Sequence, residues 1–191
     1  MSSLKDEYGT SVDRTAGIKD GKMELKFTPV IMQDPVYKEV KDLYEISFPA
    51  HERRDFSNLA DDFGEGYELF AVFGEDHFAG LVVLLTFEDI THILYLAVKP
   101  ELYGQGYGSR ILTEIRNRYP GHRIIADLER PETGTPNEDQ REKRIAFYQK
   151  NGYRFTEISY YWEGENYRIM SNGGDVTREE FGRFWWHFYQ R

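Results

Sequence analysis

Residues Leu94–Ile115 read LYLAVKPELYGQGYGSRILTEI: an apolar run, a loop with three glycines at alternate positions, then an amphipathic stretch. The loop Tyr103-Gly104-Gln105-Gly106-Tyr107-Gly108-Ser109 puts small residues where backbone can come close to a ligand. It opens a helix predicted over Tyr107–Arg118, with Ile111, Leu112, Ile115 and Tyr119 on one buried stripe and Arg110, Glu114 and Arg118 outward. The first amides of any helix have no partner within it. No carboxylate stands in this first turn, so the positive end of the helix dipole is free for an external anion. A strand–loop–helix unit of this kind predicts a phosphorylated carrier.

Phosphate sites of different design are separable on spacing. A P-loop requires Lys followed by Ser or Thr after its last glycine, and the chain has Ser109-Arg110. A dinucleotide fingerprint requires glycines directly after a strand and an acid about 20 residues on. Asp127 or Glu129 could supply that acid, but five residues, Lys99 to Tyr103, part the strand from the first glycine, and no second mononucleotide half follows. That reading stays as a weak rival.

Composition bounds the remaining choices. The 191 residues, 40% of them hydrophobic, suffice for one sizeable core and one domain. With 24 basic against 33 acidic residues, the net charge of -9 argues against general nucleic-acid binding and tilts toward cationic acceptors. There is no cysteine, hence no disulfide, thiolate metal site or Cys nucleophile, and no metal site is expected. No apolar run reaches the ~18 residues of a membrane span, and no signal-like start appears at Met1, so a cytoplasmic location without membrane contact is expected.

Outward from the loop, patterning predicts alternating elements. Residues 1–21 are polar and aperiodic, read as a flexible arm, and residues 22–191 as one domain. Strands are predicted at Glu24–Ile31, Tyr67–Phe73, Phe78–Phe87, Thr91–Val98, Arg123–Leu128, Tyr153–Tyr161 and Tyr167–Ser171. Between the first two, Asp34-Pro35 reads as cap and first turn of a helix burying Val36, Val40, Leu43 and Tyr44, stopped by Pro49. Another helix is predicted at Glu138–Lys150, ended by Asn151-Gly152. The tail from Thr177 is aromatic: Phe181, Phe184, Trp185 and Phe188 at i, i+3, i+4, i+7 predict one face packed on the sheet or on a second subunit of a homodimer.

Two motifs then act together. Tyr103 to Gly108 after the strand resembles the acyl-CoA loop of the GNAT superfamily of N-acetyltransferases, whose pattern is Arg or Gln, x, x, Gly, x, Gly or Ala. Phe147-Tyr148-Gln149-Lys150-Asn151-Gly152-Tyr153 is similar to that family's second signature, a helix carrying a tyrosine that ends at Gly before an aromatic strand. The resemblance covers roughly Met23 to Met170. It implies an α/β fold with a central mixed sheet of six to seven strands flanked by helices, and an acyltransferase that moves acetyl from acetyl-CoA to a primary amine of a small molecule or protein by direct attack.

The same resemblance implies roles. Backbone amides around Leu96, Ala97 and Val98 would hold pantetheine and polarise the acetyl carbonyl, and Tyr103, Gly104, Gln105, Gly106, Tyr107, Gly108 and Ser109 would cradle phosphate. Tyr148 stands where the family places the acid that reprotonates the leaving thiolate. Arg141 and Arg144 stand where the family often has Asn and Ala, and with Arg110 and Lys143 they either contact carrier phosphates, Arg144 foremost, or form a solvated helix face. Leu94 occupies the place of a frequent general-base glutamate. His92, two residues earlier on the same strand face, and Glu129, past the end of the next strand, are the replacement bases, with Glu52 lining the acceptor pocket. An alternative is a catalytically inactive GNAT-fold module that binds CoA or a partner.

Overall fold

A computed structural model describes residues 18–19, 22–61, 66–131, 134–135 and 137–189. Of the expected arm, residues 1–17 lie outside the described part, and the short ladder β1 (Ile18–Lys19) with β2 (Lys22–Met23) straddles its expected end. The main sheet has seven strands: β3 (Leu25–Pro29), β4 (Tyr67–Gly74), β5 (His77–Phe87), β6 (Ile90–Val98), β7 (Arg123–Glu129), β8 (Arg154–Trp162) and β9 (Glu165–Asn172). Their spatial order is β3-β4-β5-β6-β7-β9-β8. Every pairing is antiparallel except β6 with β7.

That parallel pair is joined by α3 (Tyr107–Arg118), which crosses one face of the sheet together with α4 (Glu138–Lys150). Ile111, Leu112 and Ile115 of α3 are buried against Val82, Leu84, Ile93 and Ala126. The opposite face carries α1 (Tyr37–Ser47), α2 (Phe56–Asp61) and α5 (Arg178–Tyr189), through Val40, Leu43, Tyr44, Phe56, Leu59, Phe181 and Phe184. The aromatic stripe of α5 therefore packs on the sheet: Phe184 is fully buried, while Trp186, off the stripe, is exposed.

Local chemistry explains the boundaries, with corrections to the sequence reading. Asp34 does not cap α1. Its carboxylate accepts the Ile31 N–H (2.7 Å), its carbonyl accepts the Tyr37 N–H (3.0 Å), and helix geometry begins only after this turn. Helix α2 is an addition. Glu129 is the last residue of β7 rather than a residue beyond it. At α5, Thr177 and Glu180 form a reciprocal cap: the Glu180 carboxylate accepts the Thr177 N–H, and the Thr177 hydroxyl accepts the Glu180 N–H.

Candidate active site

The site begins where the sheet comes apart. β6 and β7 pair only from Ile90/Arg123 to Ile93/Ala126. Beyond these residues the two strands continue without a ladder, β6 through Val98 and β7 through Glu129. On the other side, β6 stays paired to β5 as far as Val98/Gly80, and the Lys99 N–H donates to the Ala79 carbonyl (2.8 Å). Lys99/Ala79 is thus a hydrogen-bonded pair of the antiparallel ladder, and so, by alternation, is Ala97/Leu81. The amides of Leu96 and Val98 consequently face the gap, whereas that of Ala97 is spent on β5. Of the three amides expected from sequence, two face the gap and one is paired to β5.

A β-bulge marks the same place. Tyr95 pairs with Val83 and Ile93 with Leu84, leaving Leu94 as the extra residue. Leu94 and Tyr95 therefore both pack on the face that carries α1 and α2. Tyr95 donates its hydroxyl to the Glu52 carbonyl (2.7 Å), and Tyr44, edge-on to Tyr95 with ring centroids 4.9 Å apart, accepts the Arg54 N–H (2.9 Å). Two buried tyrosines thus pin the segment that carries Glu52.

Past the gap the chain makes a short 3-10 turn, Pro100–Leu102, and enters the glycine loop. Gly104 and Gly106 have φ of +76° and +86°, the left-handed region open to glycine, and Gly106 is the residue at which α3 starts. The first helical bond runs from the Arg110 N–H to the Gly106 carbonyl (3.1 Å), so the amides from Tyr107 to Ser109 precede the helical ladder. The first turn holds no acid. Side chains here point elsewhere: Tyr103 is exposed, Gln105 donates to the Glu101 carbonyl, and Tyr107 is buried with its hydroxyl 3.2 Å from His77 Nε2. The loop's capacity for an anion lies in its backbone. Gly108 is small for a different reason, since a Cβ there would stand 3.1 Å from the Phe147 ring.

Tyr148 is buried on the α3–α4 side, edge-on to Tyr153 (5.1 Å) and Phe147 (5.2 Å). Burial pushes its phenol well above the usual value, so it remains protonated at neutral pH. On β7, Ala126 and Leu128 face this same side, which sends Asp127 and Glu129 to the other.

There the carboxylates gather. Glu129, buried, lies 3.4 Å from both Arg141 and Arg144. Arg141 also meets Glu165 at 2.8 Å. Glu52 lies beside Glu129, and burial, followed by that neighbour, pushes its carboxyl up to about 7. Glu129 and Glu52, far apart in sequence, are brought together. Arg144 is bound to Glu129 in this structure, and Tyr167, directly across the ladder from Glu129, is buried with its hydroxyl unpartnered. His92 is fully buried: Nε2 lies 2.5 Å from Asp127 Oδ1, Nδ1 has no partner, and the rings of Phe184 and Trp185 close over it. Sequence reading missed Tyr95, Tyr160, Tyr167, Glu165 and the site-facing role of Asp127. Only the i, i+2 spacing of Asp127 and Glu129 on one strand could have signalled the last.

A mixed sheet that parts between two parallel strands, with the crossover helix opening on an acid-free glycine turn, defines the α/β architecture of this domain. Residues 65–155, from the start of β4 into β8, match the family described as "Acetyltransferase (GNAT) domain". That match, over just under half of the chain, is to an acetyltransferase domain whose mixed α/β fold the chain shares. Among solved structures, a protein of Bacteroides thetaiotaomicron assigned to the GNAT family of acetyltransferases is 26% identical, with TM-score 0.70, covering 82% of this chain and 92% of that one. A Bacillus subtilis acetyltransferase in complex with CoA is 18% identical (TM-score 0.54; 82% and 100% covered). Arabidopsis thaliana Naa50, bound to the bisubstrate analogue CoA-Ac-MVNAL, is 22% identical (TM-score 0.55; 78% and 97%). No curated protein sequence matches the chain. Among the described residues no helix is long and apolar enough to cross a membrane.

Proposed function

We propose that the protein is an acetyl-CoA-dependent N-acetyltransferase that passes acetyl to a primary amine by direct attack on the thioester. The observation that carries this reading is the β6–β7 gap, lined by the amides of Leu96 and Val98 and continuous in sequence with the glycine turn of α3. Solved structures of the same fold with CoA, or with a CoA-linked peptide, support it. The diphosphate would rest on the backbone amides of Gly106 to Ser109, and the acetyl carbonyl would take hydrogen bonds from Leu96 or Val98 that strengthen as its oxygen becomes an oxyanion.

An ammonium acceptor loses two protons, one before attack and one as the amide nitrogen forms, and the departing sulfur gains one, so that one proton is released to solvent per turnover. A neutral amine attacks the carbonyl carbon, the C–S bond breaks, and the electron pair leaves on sulfur. Glu52, beside Glu129 and poised at about 7, suits proton removal from the incoming ammonium. Tyr148, on the opposite face, suits proton delivery to the thiolate, whose own pKa the same apolar surroundings raise. The net acidity of the chain favours a cationic acceptor.

A second reading, a CoA-binding module without turnover, is favoured by Leu94 at the bulge and by Tyr103 at the head of the loop. Thiol release from acetyl-CoA with a broad amine panel separates the two. Acceptor-dependent release supports the enzyme, and its absence in a protein that still binds CoA supports the module.

A further inference from the structure

Asp127 is the first residue of β7 beyond its last pairing with β6, so it stands at the mouth of the gap. It faces the α1–α5 side, opposite Tyr148, close enough for its charge to act on that phenol. Each carboxylate oxygen is aimed by one donor: Oδ1 by His92 Nε2 and Oδ2 by the Tyr160 hydroxyl. An ionised carboxylate only accepts, so the contact at Oδ1 is a donation from His92 Nε2, and the buried Nδ1 has no partner.

The arrangement is unusual in what it lacks. Among the described residues, no Lys or Arg lies within ion-pairing distance of Asp127, whereas Glu129 is held by two arginines and Asp89 by Arg123. Its side chain keeps 17% of its surface exposed, and each oxygen retains a lone-pair direction beyond the one its donor uses. The flanks are aromatic: Tyr160 stacks on Tyr167 (5.3 Å) and approaches Phe181 (6.0 Å), and Trp185 stands edge-on to His92 (5.3 Å). The unpartnered, buried Tyr167 hydroxyl sits among the charges of Glu52, Glu129, Glu165 and Asp127. A fixed carboxylate without a Lys or Arg partner, bordered by aromatic rings, recognises an alkylammonium by charge-assisted hydrogen bonding and by the faces of the rings.

We infer that Asp127 is the residue that anchors the acceptor's ammonium at the mouth of the β6–β7 gap, and that His92 and Tyr160 are positioning residues that aim its carboxylate. This deepens the acetyl-transfer reading and rests on it. It also moves His92 from base to support: its Nε2 is committed to Asp127 and its ring is enclosed.

The test uses n-butylamine as probe, titrated calorimetrically into the full chain saturated with CoA. Asp127→Asn is expected to weaken butylamine at least about tenfold, the loss of a charged hydrogen bond, while CoA affinity stays within about twofold. His92→Leu is expected to raise the butylamine KM for thiol release with little change in kcat, and His92→Gln, whose amide N–H can replace the imidazole donor, is expected to restore it. Butylamine affinity unchanged in Asp127→Asn, or no butylamine binding by the CoA-loaded wild type, overturns the inference and leaves the CoA reading standing. Failure of the wild type to bind CoA removes the reading itself.

Discussion

Glu52 and Tyr148 carry the sharpest residue-scale consequences, because their environments set their protonation in opposite senses. Glu52 is half-buried beside Glu129, and its carboxyl, raised to about 7, is ionised mainly above that pH. The rate of amine acetylation, as kcat/KM, is therefore expected to rise with pH through about 7, and Glu52→Gln to remove that limb while leaving the limb due to the amine's own ionisation. A wild-type profile flat from pH 6 to 8 on the roughly unit scale of such a titration would exclude Glu52 as the base. Tyr148→Phe keeps the ring that packs on Tyr153 and loses only the hydroxyl. It is expected to lower kcat by about a hundredfold with acetyl-CoA affinity preserved, the usual magnitude for a lost general acid. Thiol release under single-turnover conditions measures this without interference from product departure. Of these residues, sequence singled out Tyr148, Glu129, His92 and Glu52. That Glu52 lies beside Glu129 was invisible, because the placement depends on Tyr95 and Tyr44 pinning a loop more than 40 positions from one of its anchors.

At the scale of elements, the glycine turn is the most exposed to mutation. Gly106 has open space around a would-be Cβ but a φ of +86°, so Gly106→Ala meets no neighbour and still strains the backbone. Unfolding by urea should show a loss of about 1–2 kcal/mol, and acetyl-CoA affinity should fall as the turn and its amides reorient. Retained affinity would separate the turn from the carrier. The helix ends offer a control: Thr177→Ala deletes the hydroxyl that caps α5 and should cost about 1 kcal/mol of stability without altering acetyl-CoA binding. Helices α3 and α4 were legible to the residue, because each pairs a periodic stripe or a C-terminal Asn-Gly with glycine or proline punctuation. The start of α1 was misread because Asp34 has two uses for its oxygens, and the turn claimed both. Helix α2, six residues long, is too short to display a period, and its Phe56 and Leu59 find their place only against Tyr44 and the sheet.

For the molecule as a whole, one sheet separates the two sets of groups that the proposed reaction uses. The α3–α4 face supplies the glycine turn and Tyr148, and the α1–α5 face supplies Glu52, Asp127, Glu129 and the aromatic helix; the β6–β7 gap connects them. The sequence order of the strands and their hairpins was legible from alternation and turn residues, but the place of β9 between β7 and β8 and the residue at which the β6–β7 ladder ends were not, since both depend on the register of strands far apart in sequence. The charge of -9 acts at this scale too. For a cationic acceptor kcat/KM should fall severalfold as ionic strength rises from roughly 20 to 200 mM, because screening shortens the reach of the acidic surface. The same rate for a chosen acceptor at both salts would show that long-range charge plays no part in its capture.

All of this depends on the carrier entering the gap between β6 and β7. Calorimetric titration of acetyl-CoA into the full chain tests it most directly. One molecule bound per chain, with a dissociation constant below about 1 mM that weakens in Gly106→Ala, is the predicted result. No heat of binding from the wild type at millimolar acetyl-CoA would contradict it.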